Sequence, residues 1–318
     1  MIKKNITIFL LLFLLSVMNG LMACEETPKP PGAEGHTSGD GDGDSDGDGD
    51  SDGDGDGDSD SDGDGDGDAE DCDSLLEITV RDFKADHPDM ERADNGWGPV
   101  AGVIEYELGD DRKPVFANAM GEYTWKPNND SGVLERNCWD SGPGTEEECY
   151  MGTIPMFEGA ESFKDWYNDT QANKRFEKQI QMTEVQGNPG VFVYDTTEFF
   201  PLDTSEGFGE TPSNSGHNFL FTTEIHLLFT YQAGQKFTFR GDDDLWIFIN
   251  GKLALDLGGL HLPFAGTIDF DAKAEELGIE PGWQYTMDIF HAERHTAQSN
   301  FRIETNIACF IPNPIIVE

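Results

Sequence analysis

The stretch FLFTTEIHLLFTYQAGQKFTFRGDDDLWIFINGKLALDLGGLH, residues 219–261, decides the fold. Residues 219–231 alternate apolar and mostly polar side chains, and the alternation resumes at residue 237 after a turn that contains Gly234. This pattern predicts an antiparallel hairpin with one buried face. Residues 245–249 then form a continuous apolar run, and Asn250-Gly251 is the strongest short signal for a two-residue hairpin turn. Residues 253–257 are therefore predicted to form the returning strand.

The residues that follow extend the β pattern to residue 307. Residues 283–289 and 301–307 alternate again and predict another pair of strands, with a polar loop at residues 291–300 between them. Helical patterns are short, at residues 162–168 and 272–277, and Gly278 closes the second. Strands dominate, so we predict an all-β fold over residues 74–311. We expect an antiparallel β-sandwich or jelly-roll-like barrel with small helical insertions, followed by a tail at residues 312–318.

The chain is strongly acidic before this domain begins. It has 318 residues with 63 Asp and Glu against 20 Lys and Arg, a formal net charge of -43. A field this negative excludes nucleic-acid binding through a basic surface. Every even-numbered residue from 40 to 68 is Asp, and residues 25–73 contain no aromatic side chain. We therefore expect residues 24–73 to be a disordered Asp/Gly/Ser-rich tether. This repeat does not fit an EF-hand calcium loop, which needs a Glu at its twelfth position. A loop that starts on an even-numbered Asp has its twelfth position on an odd-numbered residue, which here is Gly or Ser.

The first residues predict export. Lys3 and Lys4 precede residues 6–18, an apolar run with the length of a secretory signal core and too short for a comfortable membrane span. The run leads to Leu21-Met22-Ala23-Cys24, which resembles the lipobox of bacterial lipoproteins. We expect a signal peptide at residues 1–23 and acylation of Cys24, which would anchor the chain in a lipid bilayer of the bacterial envelope, at the outer membrane or cell surface. The alternative is an ordinary signal peptide in which Cys24 is incidental.

Four further cysteines suggest two disulfides in an exported domain, with three connectivities. Cys138 and Cys149 are 11 residues apart across a turn-rich stretch, which suits a local loop. Cys72 and Cys309 flank the folded region, and joining them would hold its ends together. Metal binding by these cysteines is the rival interpretation, but none is spaced as C-x-x-C.

Several motifs resemble the fibro-slime domain, which occurs in bacterial surface proteins and in slime-mould secreted factors. The motifs, over about residues 76–307, are Arg81-Asp82-Phe83, His87-Pro88-Asp89, Pro114-Val115-Phe116, Phe199-Phe200-Pro201-Leu202-Asp203, His217-Asn218-Phe219, GDDDLWIFINGKLALDLGGLH at residues 241–261 and HAERHTAQSNFRIET at residues 291–305. That domain is similar in turn to the lectin-like β-barrel of anthrax protective antigen and yeast flocculins. In those lectins two adjacent Asp residues joined by a cis peptide bind a calcium ion that ligates sugar hydroxyls. Here the matching pair is Asp242-Asp243, whereas residues 120–159 depart from the resemblance.

Three consecutive carboxylates at a strand end support a calcium hypothesis on chemical grounds. Asp242, Asp243 and Asp244 would repel one another unless a positive charge lies near them. Calcium takes six to eight oxygen ligands and accepts such a group. The alternative is that these residues cap turns or pair with Arg240 or Arg294.

Other polar residues are candidates to complete a ligand site. Asp256 and His261 flank Gly258-Gly259, a predicted tight bend, and are interpreted either as a hydrogen-bonded pair that fixes the bend or as ligands. In the loop at residues 291–300, Glu293, His295 and Asn300 are candidate ligand-binding residues.

Catalytic signatures are missing from the sequence. His291-Ala292-Glu293-Arg294-His295 has the spacing H-x-E-x-H rather than that of a zinc protease, and strand patterns flank it.

We predict a non-enzymatic surface lipoprotein that binds extracellular or cell-wall polysaccharide, through calcium, for adhesion or substrate capture. The alternatives are a structural or protein-binding envelope module and, second, a glycan hydrolase.

Overall fold

The computed structural model describes residues 74–91, 98–123, 155–203, 207–212, 216–296 and 298–315. These residues form 14 strands and two helices. The strands are β1 (Leu75–Phe83), β2 (Val100–Ala101), β3 (Glu122–Tyr123), β4 (Asn173–Gln181), β5 (Thr183–Glu184), β6 (Phe192–Thr196), β7 (Phe221–Thr230), β8 (Lys236–Gly241), β9 (Asp244–Ile249), β10 (Lys252–Leu257), β11 (Phe264–Asp269), β12 (Gln284–Glu293), β13 (Phe301–Thr305) and β14 (Ile311–Pro312). The helices are α1 (Ala160–Tyr167) and α2 (Phe270–Leu277).

Two antiparallel sheets carry most of these strands, which confirms the predicted all-β sandwich. The large sheet has the order β10-β9-β12-β7-β1-β4, and β14 also pairs with β7. The small sheet has the order β11-β8-β13-β6-β5, while β2 and β3 form a separate two-stranded sheet. Strand β14 straddles the predicted boundary between domain and tail, because Pro312 pairs with Leu227 of the large sheet.

Local signals correctly predicted both helices and one hairpin. The Asp269 side chain caps the start of α2, and Gly278 ends it in the left-handed conformation that glycine tolerates best. At the β9–β10 hairpin, Lys252 pairs with Ile249 across Asn250-Gly251. Both turn residues have positive φ, 53° and 75°, as this type of turn requires.

Two predicted strand pairs are wrong. Strand β7 does not pair with β8, and β12 does not pair with β13, because in each case the first strand belongs to the large sheet and the second to the small one. In a sandwich, strands of both sheets turn an apolar face toward the same core, so alternation alone does not identify the partner. The chain therefore crosses between sheets after β7, again between β8 and β9, and again after β12.

The main core fills the space between the sheets, and a second core covers the outer face of the large sheet. Phe83, Trp246, Phe248 and Phe290 point outward into this second core, where residues of α1 and of the segment 98–123 pack on them. Strand β7 is therefore buried on both faces along most of its length, rather than on the predicted one.

Some predictions fall outside the described residues. These are the signal peptide, Cys24, the tether at residues 24–73, and Cys72, Cys138 and Cys149. Cys309 is disulfide-bonded, and its pairing with Cys72 stays a prediction. Within the described part of the chain, neither helix has the length and apolar character needed to cross a membrane.

Candidate metal and ligand site

Two crossings between the sheets meet at one end of the sandwich and form the candidate site. The first crossing is Asp242-Asp243, between β8 of the small sheet and β9 of the large sheet. The second connects β12 to β13, and the two are neighbours because Ala292 pairs with Asp244 and Phe301 pairs with Gly241. This topology places the candidate carboxylates on two adjacent connections.

Asp242 is bonded to the start of β13. Its Oδ1 accepts a hydrogen bond from the Asn300 backbone N–H at 2.5 Å, and its Oδ2 accepts one from Asn300 Nδ2 at 3.0 Å. Its backbone carbonyl accepts a bond from His291 Nε2 at 3.0 Å. Burial raises the pKa of Asp242, and the bonds from Asn300 oppose this shift. The peptide bond between Asp242 and Asp243 is cis.

Asp243 has only long contacts. Its two carboxyl oxygens accept bonds from the backbone N–H groups of His261 and Arg294, each at 3.3 Å. Burial raises its pKa well above the usual value, Arg294 opposes the shift, and the neighbouring carboxylates of Asp244 and Asp242 add to it.

Asp244 is the neutralised member of the group. Its Oδ2 lies 2.6 Å from Arg294 Nε, and its Oδ1 accepts a bond from the Gly259 N–H at 2.6 Å. Both side chains of the ion pair have 0% exposure, and the Arg294 guanidinium also stacks on Phe157 and Trp166. The Asp244–Arg294 ion pair therefore fixes the end of the sandwich. It agrees with the alternative hypothesis, in which an aspartate of this group pairs with Arg294.

Glu293, the last residue of β12, is fully buried. Neither of its carboxyl oxygens has a hydrogen-bond partner among the described residues. The Ser299 hydroxyl and the His295 backbone N–H lie near it and oppose the rise of its pKa, although the Ser299 hydroxyl donates to the Phe199 carbonyl. Burial raises the pKa of Glu293 well above its usual value, and the charges of Asp243 and Asp242 raise it further.

We name Asp242, Asp243, Asp244 and Glu293 the acidic cluster. Among the residues that the structure describes, the guanidinium of Arg294 is the one basic group that forms an ion pair with this cluster, and its partner is Asp244. If all four were ionised, three negative charges would remain buried and unbalanced, which is costly. Protons or a bound cation can supply the missing positive charge. Carboxylate and amide oxygens suit a hard cation such as calcium. Within the described residues, however, no three His, Cys, Asp or Glu side chains are grouped as a metal site.

The other candidate residues have different surroundings. The Asp256 carboxylate accepts bonds from the Gly102 N–H, Trp246 Nε1 and the Gly258 N–H, at 2.9, 2.9 and 3.3 Å. His261 contacts the acidic cluster through its backbone N–H, while its ring nitrogens face the carbonyls of Leu262 and Leu257. Asp256 and His261 therefore fix the bend separately rather than as a mutual pair.

The loop predicted at residues 291–300 is shorter in the structure. His291 and Glu293 belong to β12 and are buried, and Arg294 is buried as well, so the polar rim starts at His295. His295 is partly exposed on this rim, with Nδ1 2.6 Å from the Thr296 carbonyl, and Asn300 lies beside Asp242. The burial of a polar residue in a strand depends on which other elements pack over that strand. The pattern of apolar and polar residues along the chain does not show this.

Sequence reasoning missed the residues that support Arg294. Its Nη1 donates to the Met156 carbonyl at 2.9 Å and faces the Asp89 carbonyl at 3.5 Å. The Asp89 carboxylate in turn accepts bonds from Trp166 Nε1 and the Glu158 N–H. The available signal was His87-Pro88-Asp89, one of the motifs that resemble those of the fibro-slime domain.

Comparison with known proteins gives a consistent set of relatives. The chain is similar to the psi proteins of Dictyostelium discoideum. It is 31% identical to protein psiD over 239 residues and 35% identical to protein psiC over 240 residues, 73% of this chain in each case. It is 37% identical to protein psiQ over 227 residues. The matches cover 41%, 40% and 19% of the psiD, psiC and psiQ sequences, so the chain corresponds to less than half of each.

Other comparisons add nothing to this result. No family model matches the chain. A GH31 α-xylosidase from Xanthomonas citri aligns over 44% of this chain and 16% of its own, with 9% identity and a TM-score of 0.23. That score is too low to support an inference.

Proposed function

We propose that residues 74–311 form a fibro-slime domain that binds carbohydrate through a calcium ion held at the acidic cluster. The observation that carries the proposal is Glu293, a buried carboxyl group next to Asp242 and Asp243 whose oxygens form no well-aligned hydrogen bond with the described residues. A buried polar group without a hydrogen bond is rare and costly, and it commonly marks a bound ion or ligand. The resemblance of Asp242-Asp243 to the lectin pair supports the same site.

The chemistry of the donors favours calcium over softer metals. Asp242, Asp243 and Glu293 supply carboxylate oxygens, and Asn300 supplies an amide oxygen. When bound, calcium would offer coordination positions to sugar hydroxyl groups, because it takes six to eight oxygen ligands. Asp243 and Asn300 are 5% and 8% exposed, so they lie at the boundary between the buried cluster and solvent.

A glycan array tests this proposal directly. The full chain should bind a subset of glycans with calcium present and lose that binding in chelator. Asp243→Asn should bind weakly in both conditions, because it removes one ligand charge while nearly preserving the shape of the side chain. Asp195→Asn is a matched control, since Asp195 is 48% exposed and pairs with Arg302. Glycan binding that survives both chelator and Asp243→Asn would contradict the proposal.

One observation favours the alternative of a structural or protein-binding module. Asp242 and Asp244 already hold two loops together through Asn300 and Gly259. A folded chain that binds no glycan, and that loses stability when these aspartates are replaced, would support this alternative.

We further propose that the domain is held at the surface of a bacterial envelope by an acylated Cys24. This rests on Leu21-Met22-Ala23-Cys24 and on the acidic tether, whereas the relatives named above come from Dictyostelium discoideum. Metabolic labelling with an alkynyl fatty acid should mark the wild-type chain. Equal labelling of Cys24→Ser would refute acylation at this residue.

A further inference from the structure

The Asp243 carboxylate lies between two loops at the end of the sandwich. Its Oδ1 accepts the His261 backbone N–H and its Oδ2 accepts that of Arg294, each at 3.3 Å. His261 belongs to residues 258–263, which connect β10 to β11 and which we name the apolar rim. Arg294 begins the connection from β12 to β13, which carries the polar rim. A ligand held at Asp243 therefore lies between the two rims.

The backbone of the apolar rim is held in place by several contacts. Gly259 donates its N–H to Asp244 Oδ1 at 2.6 Å. Its φ is 99°, and a Cβ at this position would lie 2.4 Å from the Gly98 carbonyl oxygen, so the bend requires glycine. Beyond the bend, His261 Nδ1 lies 2.9 Å from the Leu262 carbonyl oxygen. The backbone that carries Leu262 is therefore fixed before a ligand arrives.

The side chain that this rim presents to solvent is a leucine. Leu262 is 60% exposed, the highest value among the large apolar side chains that the structure describes, whereas Leu260 and His261 are buried. Pro263, which follows it, is partly exposed. A single exposed leucine is ordinary on a protein surface. This one stands on a fixed loop beside a candidate ligand site, where a preorganised apolar contact costs little ordering entropy when a ligand binds.

The two rims place different chemistry on either side of Asp243. Standard backbone dimensions put the Leu262 Cα within about 9 Å of Asp243 Oδ1, because only His261 separates them along the hydrogen-bonded path. On the other side, His295 directly follows Arg294 and is partly exposed. A ligand at Asp243 therefore meets an apolar side chain on one side and a polar one on the other.

We propose that Leu262 determines the sugar specificity of the acidic cluster by packing against a methyl group of the bound glycan. The favoured ligands are sugars with a methyl-bearing substituent, such as an N-acetyl group or the methyl group of a 6-deoxy sugar. The hydroxyl groups of such a sugar suit the polar rim, and its methyl group suits Leu262. This inference rests on the proposed function, because that function places the sugar at the acidic cluster. Burial of one methyl group is worth about fourfold in affinity.

The test compares matched pairs of sugars, with the full chain in calcium. The pairs are glucose with N-acetylglucosamine, galactose with N-acetylgalactosamine, and galactose with 6-deoxygalactose. Titration of each sugar, followed by ligand-observed NMR, gives the ratio of affinities within each pair. In at least one pair the methyl-bearing sugar should bind about fourfold or more tightly.

Two variants of Leu262 and one control separate specificity from a general loss of apolar surface. Leu262→Ser should bring the ratio to about one, because serine offers no comparable apolar surface. Leu262→Met keeps an apolar side chain of similar volume and should retain the preference. Val115→Ser is the matched control, since Val115 is 41% exposed and its carbonyl accepts the Glu105 N–H rather than a bond from either rim. The control should leave the ratio unchanged.

Calcium-dependent melting shows whether Leu262 acts on the sugar or on the ion site. Leu262→Ser should gain the same increase in melting temperature with calcium as wild type, because leucine supplies no side-chain oxygen to a cation. A smaller increase in the variant would mean that Leu262 supports the ion site instead, and would overturn the assignment.

Failure of this inference is distinguishable from failure of the proposed function. If the glycan array shows no calcium-dependent binding, the proposed function fails and this inference fails with it. If the array shows such binding but no pair favours the methyl-bearing sugar, this inference alone is overturned. A preference that Leu262→Ser retains would overturn it in the same way.

Discussion

Two buried glutamates of the large sheet, Glu224 on β7 and Glu293 on β12, have opposite surroundings. Glu224 has Arg81 and Lys113 within 2.8 Å of its oxygens, whereas Glu293 has no hydrogen-bond partner among the described residues and faces Asp243 and Asp242. Burial raises the pKa of both, yet the partners of Glu224 outweigh it and lower its pKa to about 2. At Glu293 the neighbouring carboxylates instead raise the pKa further.

The difference separates a charge network that is complete within the protein from one that needs protons or a bound cation. Three basic side chains take part in the network around Glu224. Arg81 and Lys113 pair with Glu224 itself. Arg112 pairs with the buried Asp288, which is linked to Glu224 through His226. Around Glu293, Arg294 is the only basic side chain in the described part of the chain that pairs with the acidic cluster, and its partner is Asp244. The incomplete network is therefore the better candidate for ion binding.

The largest expected effect comes from exchanging each glutamate for its amide. Glu224→Gln removes the carboxylate that pairs with Lys113 and Arg81, and Arg81 keeps only its pair with the half-exposed Asp169. The buried Lys113 charge is then left unbalanced, which should lower the free energy of unfolding by about 3–5 kcal/mol. Glu293→Gln removes a buried carboxyl group that is costly to ionise, so in chelator its stability should equal or exceed that of wild type. Urea unfolding of both variants measures the two effects. Equal destabilisation would mean that the two glutamates do not differ as described.

A smaller effect is expected from pH. A carboxyl with a raised pKa keeps its proton in the folded state at pH values where the unfolded chain has lost it, so stability falls as pH rises. For Asp243 and Glu293 this fall begins above their ordinary values of 3.8 and 4.5. Asp256, whose pKa burial raises to about 7, contributes with the same sign.

The measurement is the melting temperature in chelator from about pH 5 to about pH 8. The wild-type melting temperature should fall across this range more steeply than that of Glu293→Gln, since only wild type can lose the Glu293 proton. Calcium should reduce the wild-type slope, because the cation replaces the protons. Identical slopes for the two proteins in chelator would show that Glu293 is not protonated in the folded state.

Local signals in the sequence predicted the elements of the fold better than their pairing. Asn250-Gly251 predicted the β9–β10 hairpin because that turn requires positive φ at both residues, a local property. The partners of β7 and β8 depend on which sheet each strand joins. Alternation shows that one face of a strand is buried, but it does not show which of the two sheets the strand joins. The pairing of these strands could therefore not be predicted from the sequence.

The candidate site was predictable in part. Consecutive carboxylates indicated Asp242 and Asp243, and the polar loop predicted at residues 291–300 supplied Glu293 and Asn300 as candidates. The Glu224 network was missed, although Thr222, Glu224 and His226 place a polar side chain at every second position of β7. Such a pattern usually indicates a solvent-facing side, whereas here other elements cover that side.

The most direct test of the central claim is calcium-dependent thermal unfolding of the full chain, compared with Asp243→Asn. Both proteins carry the same acidic tether, so calcium bound there cancels in the comparison. A ligand that binds only the folded state stabilises it by RT ln(1 + [L]/Kd), about 2.7 kcal/mol at a hundredfold excess over Kd. We predict that calcium raises the melting temperature of wild type and has little effect on the variant. Equal shifts for both proteins, or no shift for either, would contradict cation binding at the acidic cluster.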